Sequence, residues 1–298
     1  RGCGKLSAML ARVLSARLRD YAPATPVDQE NVLQELMQHY VLASLSRAGL
    51  FAHAMFHGGT CLRIVHGMNR FSEDLDFLLK SADPDFRWKG YLESVRKDCD
   101  QEGIAFAVQD KSQAGSAVQK AFLKTDSIGK ILLLDLPFER HRPRKIRIKL
   151  EIDINPPPGS TFTTSYITFP LTAPLTTQSL ESGFALKLHA LLCRSYVKGR
   201  DWYDFVWYVA RGTRPDVDLL GRALHQQGRW AGQGIAVTGS WVQDRMEDAI
   251  RGIDWTAARD DVSRFVPLRE QEGLRAWSVD FFLYWLARMR VGADEPTR

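Results

Sequence analysis

The sequence is poor in cysteine and lacks the cysteine spacing of a metal site. Its four cysteines lie at positions 3, 61, 99 and 193, with no Cys-x-x-Cys pair and no pair of histidines nearby. A structural zinc site needs such closely spaced ligands, so this pattern argues against one. We expect reduced thiols in a cytoplasmic protein.

Long apolar runs are also missing. The runs at 131–134 and 281–286 are the clearest ones, and both are far shorter than the roughly 20 residues of a membrane-spanning helix. Arg12 and Arg17 interrupt the apolar positions of the first 18 residues, which favours an amphipathic helix over a signal peptide. We therefore expect a soluble protein with no membrane partner.

Charge of one sign is only slightly in excess. Lys and Arg number 40 against 35 Asp and Glu, giving a net charge of +5 and a sequence pI near 9.0. A mild basic excess suits a polyanionic partner but does not establish nucleic-acid binding. With 298 residues, 45% of them hydrophobic, the chain is long enough for two lobes.

A glycine-rich turn followed closely by two aspartates is the most informative motif. Gly58 and Gly59 allow backbone amides to approach a polyphosphate, and the apolar run after Thr60 predicts a short helix whose N-terminus faces that anion. Asp74 and Asp76 lie on a predicted strand, where they share a face and can bind a hard cation such as Mg²⁺. Either half of the motif alone is more often structural, but together they predict a nucleotide-handling centre.

A second strand supplies further acidic residues. Residues 146–154 alternate strictly, with isoleucines and a leucine on one face and charged side chains on the other. Glu151 and Asp153 lie on the charged face, and either is a candidate third carboxylate. A solvated sheet face is the simpler alternative for both.

A set of charged residues lies in the C-terminal half, where the pattern is helical. Lys187 and Arg194 are seven residues apart, beside an apolar stripe, and such a lysine can stabilise phosphate charge. Asp201 and Asp204 share a face of the next predicted helix, where Asp201 can orient Lys187 and Asp204 can hold an arginine. A snorkelling lysine and a structural ion-pair set are the alternatives.

The order of elements predicts an α+β fold with a mixed sheet. A helix capped by Asp28 is followed by strands at 51–56, 71–79 and 146–154, with strands and a polar turn over 104–138. Helices are predicted at 179–195, 200–210, 216–227, 240–251, 256–265 and 274–290. We therefore predict a core lobe at 1–175 and a helical lobe at 176–298 that completes the active site.

The ordered motifs resemble those of the AbiEii nucleotidyltransferase toxins, which include the MenT group. The resemblance runs through roughly residues 28–210. It is carried by Gly58-Gly59-Thr60-x-Leu62-Arg63, Arg70-x-Ser72-x-Asp74-Leu75-Asp76-Phe77, Lys149-Leu150-Glu151-Ile152, Lys187-Leu188-x-Ala190 and Arg200-Asp201-x-x-Asp204. The resemblance implies a DNA-polymerase-β-like nucleotidyltransferase core and a cognate antitoxin as partner.

The resemblance also implies an activity and roles for residues. The activity is transfer of a nucleotide to the 3′ end of tRNA, which blocks aminoacylation and translation. Asp74 and Asp76 match metal-binding positions, Lys187 and Asp201 match positions that complete the site, and Ser72 matches a position where phosphorylation silences some members. The residues predicted to bind the nucleotide are Gly58, Gly59, Thr60, Arg63, Ser72 and Arg194. This sequence departs from the family pattern in that Asp153 follows Glu151 on the same face, which leaves open which of the two is the third carboxylate. Glu151 is favoured by the preceding Lys149-Leu150.

These residues give a mechanistic hypothesis. The β- and γ-phosphates of an NTP lie on the turn at 58–63, with Mg²⁺ between them and the two aspartates. An RNA 3′ hydroxyl, deprotonated with help from the metal and from Glu151 or Asp153, attacks the α-phosphorus. Lys187, with Arg63 or Arg194, stabilises the leaving charge. A Mg²⁺-dependent nuclease and a non-catalytic nucleotide- or RNA-binding module are the alternatives.

Overall fold

The computed structural model describes residues 8–110, 127–136 and 144–291. The described residues divide into two compact units. The first contains those up to Pro156 together with Phe162–Thr177, and the second contains Pro157–Thr161 and those from Gln178 onward. The functional roles predicted for lobes at 1–175 and 176–298 stay predictions. Within the described ranges, no helix is both long and apolar enough to cross a membrane.

A mixed sheet forms the centre of the first unit. Its strands are β1 (Ala54–His57), β2 (Asp74–Leu79), β3 (Ala105–Asp110), β4 (Ser127–Leu136), β5 (Arg144–Asp153), β6 (Phe162–Ile167) and β7 (Ala173–Gln178). Among the described residues, the spatial order is β3-β4-β5-β2-β1-β7-β6. The β5–β2 and β1–β7 pairs are parallel, whereas β3–β4, β4–β5 and β1–β2 are antiparallel. The predicted mixed sheet is therefore confirmed.

Five helices of the described chain belong to this unit: α1 (Ala8–Tyr21), α2 (Pro26–Arg47), α3 (Leu50–His53), α4 (Gly58–Ile64) and α5 (Lys89–Gln101). The start of α2 corrects the sequence prediction, because Thr25 rather than Asp28 is its N-cap. The Thr25 side chain accepts a hydrogen bond from the Asp28 backbone, and the Asp28 carboxylate accepts one from the Thr25 backbone. Such a reciprocal capping box satisfies two amides at the helix start.

The alternation predicted for residues 146–154 is confirmed in β5. Ile146, Ile148, Leu150 and Ile152 are buried, and α2 packs against this strand. Because successive side chains on a strand point to opposite faces, the charged residues of β5 are held on the other face of the sheet. The core thereby fixes which way the candidate carboxylate Glu151 points.

Some predicted boundaries differ from the structure. The segment predicted as a strand at 51–56 is instead the end of α3 followed by β1, and the strand predicted at 71–79 begins only at Asp74. The threonine-rich segment at 162–178 contains β6 and β7, which agrees with the preference of β-branched residues for strands. The polar turn predicted at 111–116 and the basic segment at 140–143 lie outside the described residues.

The second unit is helical within the described residues. Its helices are α6 (Leu180–Cys193), α7 (Gly199–Ala210), α8 (Val217–Gln226), α9 (Gly239–Arg251), α10 (Trp255–Ser263) and α11 (Val279–Leu286). The helix predicted at 274–290 is shorter, because Ser278 caps α11 and a 3-10 helix occupies Leu268–Ala276. Trp202, Trp255 and Phe282 form an aromatic core, with the last two rings stacked at 3.9 Å.

Candidate active site

The glycine turn lies directly against one of the candidate carboxylates. β1 ends at His57 and α4 begins at Gly58, whose φ of +77° lies in the left-handed region. A Cβ at Gly58 would lie 2.8 Å from Oδ2 of Asp76, and one at Gly59 would lie 3.0 Å from Oγ of Ser72. Glycine is needed here both for its conformation and for its lack of a side chain. The structure therefore places the turn and Asp76 together.

Two neighbouring strands bring the predicted acidic residues together. In the parallel pairing of β2 with β5, Asp76 lies opposite Glu151 and Asp74 lies opposite Lys149. Paired residues point to the same face of a sheet, so these four side chains share one surface. We name Asp74, Asp76 and Glu151 the carboxylate cluster.

Lys149 occupies the centre of the carboxylate cluster. Its Nζ lies 3.2 Å from Oδ2 of Asp74 and 3.3 Å from Oε2 of Glu151. Burial alone would lower the pKa of Lys149, but the negative charges of Asp74, Glu151 and Asp76 outweigh burial and raise it. The sequence analysis placed this lysine in a family motif and on a charged face, but it did not identify it as a site residue.

The carboxylate cluster has the chemistry of a hard-cation site. Across residues 8–110, 127–136 and 144–291, no group of three or more His, Cys, Asp or Glu side chains is arranged to hold a metal as it stands. However, three carboxylates surround a single ammonium, which acts as a stand-in cation for them. Carboxylate oxygens are the ligands that Mg²⁺ prefers, so the donor set fits this ion.

The two candidates for the third carboxylate differ in position. Glu151 is paired with Asp76, whereas Asp153 is paired with Leu78 and lies at the end of β5. Asp153 is buried, and its Oδ1 accepts a hydrogen bond of 3.1 Å from the backbone amide of Asn155. These contacts favour Glu151 as the third carboxylate, while the metal-binding role predicted for Asp153 stays a prediction.

Two residues predicted to bind nucleotide, Thr60 and Arg63, make contacts within the protein. Thr60 is fully buried, and its hydroxyl donates to the backbone carbonyl of Asp74. Arg63 donates to the Glu35 carboxylate at 2.6 Å and to the carbonyls of Met68 and Asn69. Thr60 therefore positions the start of β2. The nucleotide-binding roles predicted for Thr60 and Arg63 stay predictions.

Ser72 and the buried Arg70 lie next to Gly59 of the glycine turn. The carbonyl of Ser72 accepts a hydrogen bond of 2.9 Å from Gln38 Nε2, and its side chain is partly exposed. Arg70 is 2% exposed, and its guanidinium is the first group that a Cβ at Gly59 would meet. Arg70 is the first residue of the family motif that contains Asp74 and Asp76, but no role was predicted for it from the sequence. The nucleotide-binding and phosphorylation roles of Ser72 stay predictions.

In the second unit, Lys187 forms a buried ion cluster with α7. Its Nζ lies 2.6 Å from Oδ1 of Asp201 and 2.8 Å from Oδ2 of Asp204, and the three side chains are 13%, 5% and 0% exposed. Arg194 follows the end of α6 in an extended conformation, and its guanidinium lies 3.4 Å from Oδ2 of Asp201. Lys187 therefore holds Asp204 in the place where the sequence predicted an arginine.

The ion cluster carries more positive than negative side chains. Burial alone would raise the pKa of Asp201, but Lys187, Lys198 and Arg194 hold it well below its ordinary value. Burial also lowers the pKa of Lys198, a residue that sequence reasoning did not select. Three basic groups thus act on Asp201, and one of them, Lys187, also pairs with Asp204. The catalytic roles predicted for Lys187 and Asp201 stay predictions.

Comparison with known proteins adds a family and two solved structures. The sequence model of the family described as "Nucleotidyl transferase AbiEii toxin, Type IV TA system" matches residues 40–283. A provisionally assigned nucleotidyltransferase from H. pylori is 17% identical with a TM-score of 0.47, and the match covers 85% of this chain and 92% of the H. pylori chain. The protein JHP933 from Helicobacter pylori is 15% identical with a TM-score of 0.48, and the match covers 86% of this chain and 88% of JHP933. No curated protein sequence matches this chain.

Proposed function

Because the chain belongs to the AbiEii family of nucleotidyl transferase toxins, we propose that it transfers a nucleoside monophosphate from an NTP to the 3′ end of an RNA. The acceptor end of tRNA is the proposed substrate, since a nucleotide added there blocks aminoacylation and hence translation. The family is one of type IV toxin–antitoxin systems, so a cognate antitoxin is the proposed partner. Both substrates are cytoplasmic, and we propose the cytoplasm as the site of action.

The observation that carries this proposal is the juxtaposition of turn and acids. A Cβ at Gly58 would lie 2.8 Å from Oδ2 of Asp76, so the glycine leaves room for this carboxylate. Asp76 is in turn paired with Glu151. A triphosphate on the backbone amides of Gly58 and Gly59 would lie next to the carboxylate cluster. This combination favours a nucleotidyltransferase over a nuclease, because a nuclease needs no place for a triphosphate.

The carboxylate cluster would supply both metal ligands and a base. Asp74, Asp76 and Glu151 would hold Mg²⁺, which when bound neutralises phosphate charge and lowers the pKa of a hydroxyl. Glu151 would accept the proton of the RNA 3′ hydroxyl while the oxygen of that hydroxyl forms a bond to the α-phosphorus. The bond between that phosphorus and the α,β-bridging oxygen breaks, and its electron pair leaves with pyrophosphate. The products are RNA longer by one nucleotide and pyrophosphate.

Lys187 and Arg194 are proposed to stabilise the charge on the leaving pyrophosphate. Their neighbour Asp201 would orient them, since it accepts from Lys187 at 2.6 Å and lies 3.4 Å from Arg194. Preorganised cations stabilise developing negative charge without reorganising during the reaction. The surplus of basic groups in this buried cluster supports the proposal.

The decisive experiment incubates purified protein with total tRNA, Mg²⁺ and each α-³²P-labelled NTP in turn. We expect at least one of the labelled NTPs to label RNA of tRNA length. In Asp74→Asn, we expect this labelling to fall by several orders of magnitude. Circular dichroism would check that the variant is folded. Label on no RNA with any NTP would refute the transfer, and shortened RNA in the same gel would instead identify a nuclease.

A further inference from the structure

Lys149 has an unusual position for a lysine on a sheet surface. It faces Asp74 across the β2–β5 pair and precedes Glu151 by two residues, so all three side chains point to one face. Its ammonium bridges the two carboxylates at 3.2 and 3.3 Å, and its side chain is 31% exposed. This is a fixed cation inside a cluster of acids rather than a lysine kept for solubility.

The oxygens that Lys149 holds are those that a divalent cation would need. Oδ2 of Asp74 and Oε2 of Glu151 each contact Nζ, and an ammonium and a metal ion cannot occupy the same place between these two oxygens. Without Lys149, the carboxylates of Asp74, Asp76 and Glu151 would repel one another and attract a cation more strongly. The lysine therefore competes with metal for the same atoms.

We propose that Lys149 is an internal counter-cation of the carboxylate cluster, which keeps Asp74 and Glu151 paired until metal and nucleotide arrive together. The inference rests on the proposed nucleotidyl transfer. A triphosphate gives the displaced ammonium new oxygen acceptors, so Lys149 leaves the carboxylates more readily when the nucleotide is present. The nucleotide-free protein consequently binds divalent metal weakly.

The test measures Mn²⁺ binding by electron paramagnetic resonance of the free ion, without nucleotide. We compare the wild-type protein with Lys149→Met and with Lys145→Met, an exposed lysine on the same strand. We expect Lys149→Met to bind Mn²⁺ at least about tenfold more tightly than the wild type, and Lys145→Met to bind it as the wild type does. Adding Asp76→Asn to Lys149→Met should abolish the gain.

A second readout follows thermal unfolding in EDTA and in Mn²⁺. Lys149→Met should melt at a lower temperature than the wild type in EDTA and regain stability with Mn²⁺, by mass action on the folded state. Lys149→Gln provides the same comparison if the methionine variant does not fold.

The possible failures are distinguishable. Equal or weaker Mn²⁺ binding by the Lys149 variants would overturn the counter-cation inference and leave the proposed transfer intact. If neither protein binds Mn²⁺, even with a non-hydrolysable α,β-methylene NTP present, both the inference and the metal site of the proposed function are overturned.

Discussion

Removing the ammonium of Lys187 should destabilise the protein strongly, because two buried carboxylates depend on it. Asp201 and Asp204 are 5% and 0% exposed and lie 2.6 and 2.8 Å from Nζ. In Lys187→Met, Arg194 still reaches Asp201 at 3.4 Å, but Asp204 loses this ion pair. Breaking a buried ion pair by removing one partner costs about 3–5 kcal/mol, and we expect the free energy of unfolding to fall by that amount.

The assay is urea denaturation at pH 7, followed by tryptophan fluorescence, to which Trp202 in the aromatic core of the same unit contributes. Arg251→Met is the matched control, since Arg251 pairs with Glu247 at 2.6 Å on the surface, where both side chains are about half exposed. Such surface pairs contribute at most about 1 kcal/mol. A double variant, Lys187→Met with Asp204→Asn, should recover part of the loss because the buried negative charge that faced Lys187 is removed as well.

A loss below about 1 kcal/mol in Lys187→Met would refute this reasoning, because the magnitude would be that of a surface pair. The result also decides how activity data are interpreted. If the variant is strongly destabilised, its loss of transfer must be measured without urea, at a temperature at which circular dichroism shows it folded. Only a loss of turnover under those conditions supports a role for Lys187 at the leaving group.

Three further predictions follow from the geometry. Glu151→Gln should reduce transfer by several orders of magnitude while Asp153→Asn retains most of it, measured with labelled NTP; the reverse order would make Asp153 the third carboxylate. Gly58→Ala should lose transfer and destabilise the fold by about 1 kcal/mol or more, because its φ is +77° and the new Cβ meets a carboxylate; unchanged melting temperature and activity would contradict this. The pKa of Asp201 is lowered on folding, so its stabilising contribution is present above its unfolded pKa of about 3.9 and is lost as pH falls through the lower folded value. In urea titrations from pH 7 to 3, the stability difference between wild type and Asp201→Asn should therefore be constant above about pH 5 and shrink below about pH 4; a difference that grows on acidification would contradict it.

Much of the sheet could be predicted because its residues alternate clearly. The isoleucines of β5 recur at even-numbered positions of the strand, and their burial in the core leaves Glu151 on the opposite face. The glycine turn could likewise be recognised, since its φ above zero and its close approach to Asp76 both demand glycine. These features are local, so the sequence contains their cause.

The remaining features depend on pairing between distant segments. Lys149 contacts Asp74 only because β2 and β5 are parallel neighbours in one register, and no short-range pattern specifies that pairing. The same holds for the contacts of Arg63 with Glu35, which lie 28 residues apart. The sequence therefore predicted the acids of the carboxylate cluster but not the role of Lys149, which contacts two of them.

The register between β2 and β5 makes correct chemistry a by-product of correct folding. A slip of β2 by one residue would turn Asp74 and Asp76 into the apolar interior and bring Leu75 and Phe77, both buried in the native sheet, out to water. Such a misaligned chain would bury unpaired charge and expose an aromatic ring, so it would be too unstable to persist. Molecules that complete folding thus arrive with their acids already aligned, and an inactive but well-folded population from this error is not expected.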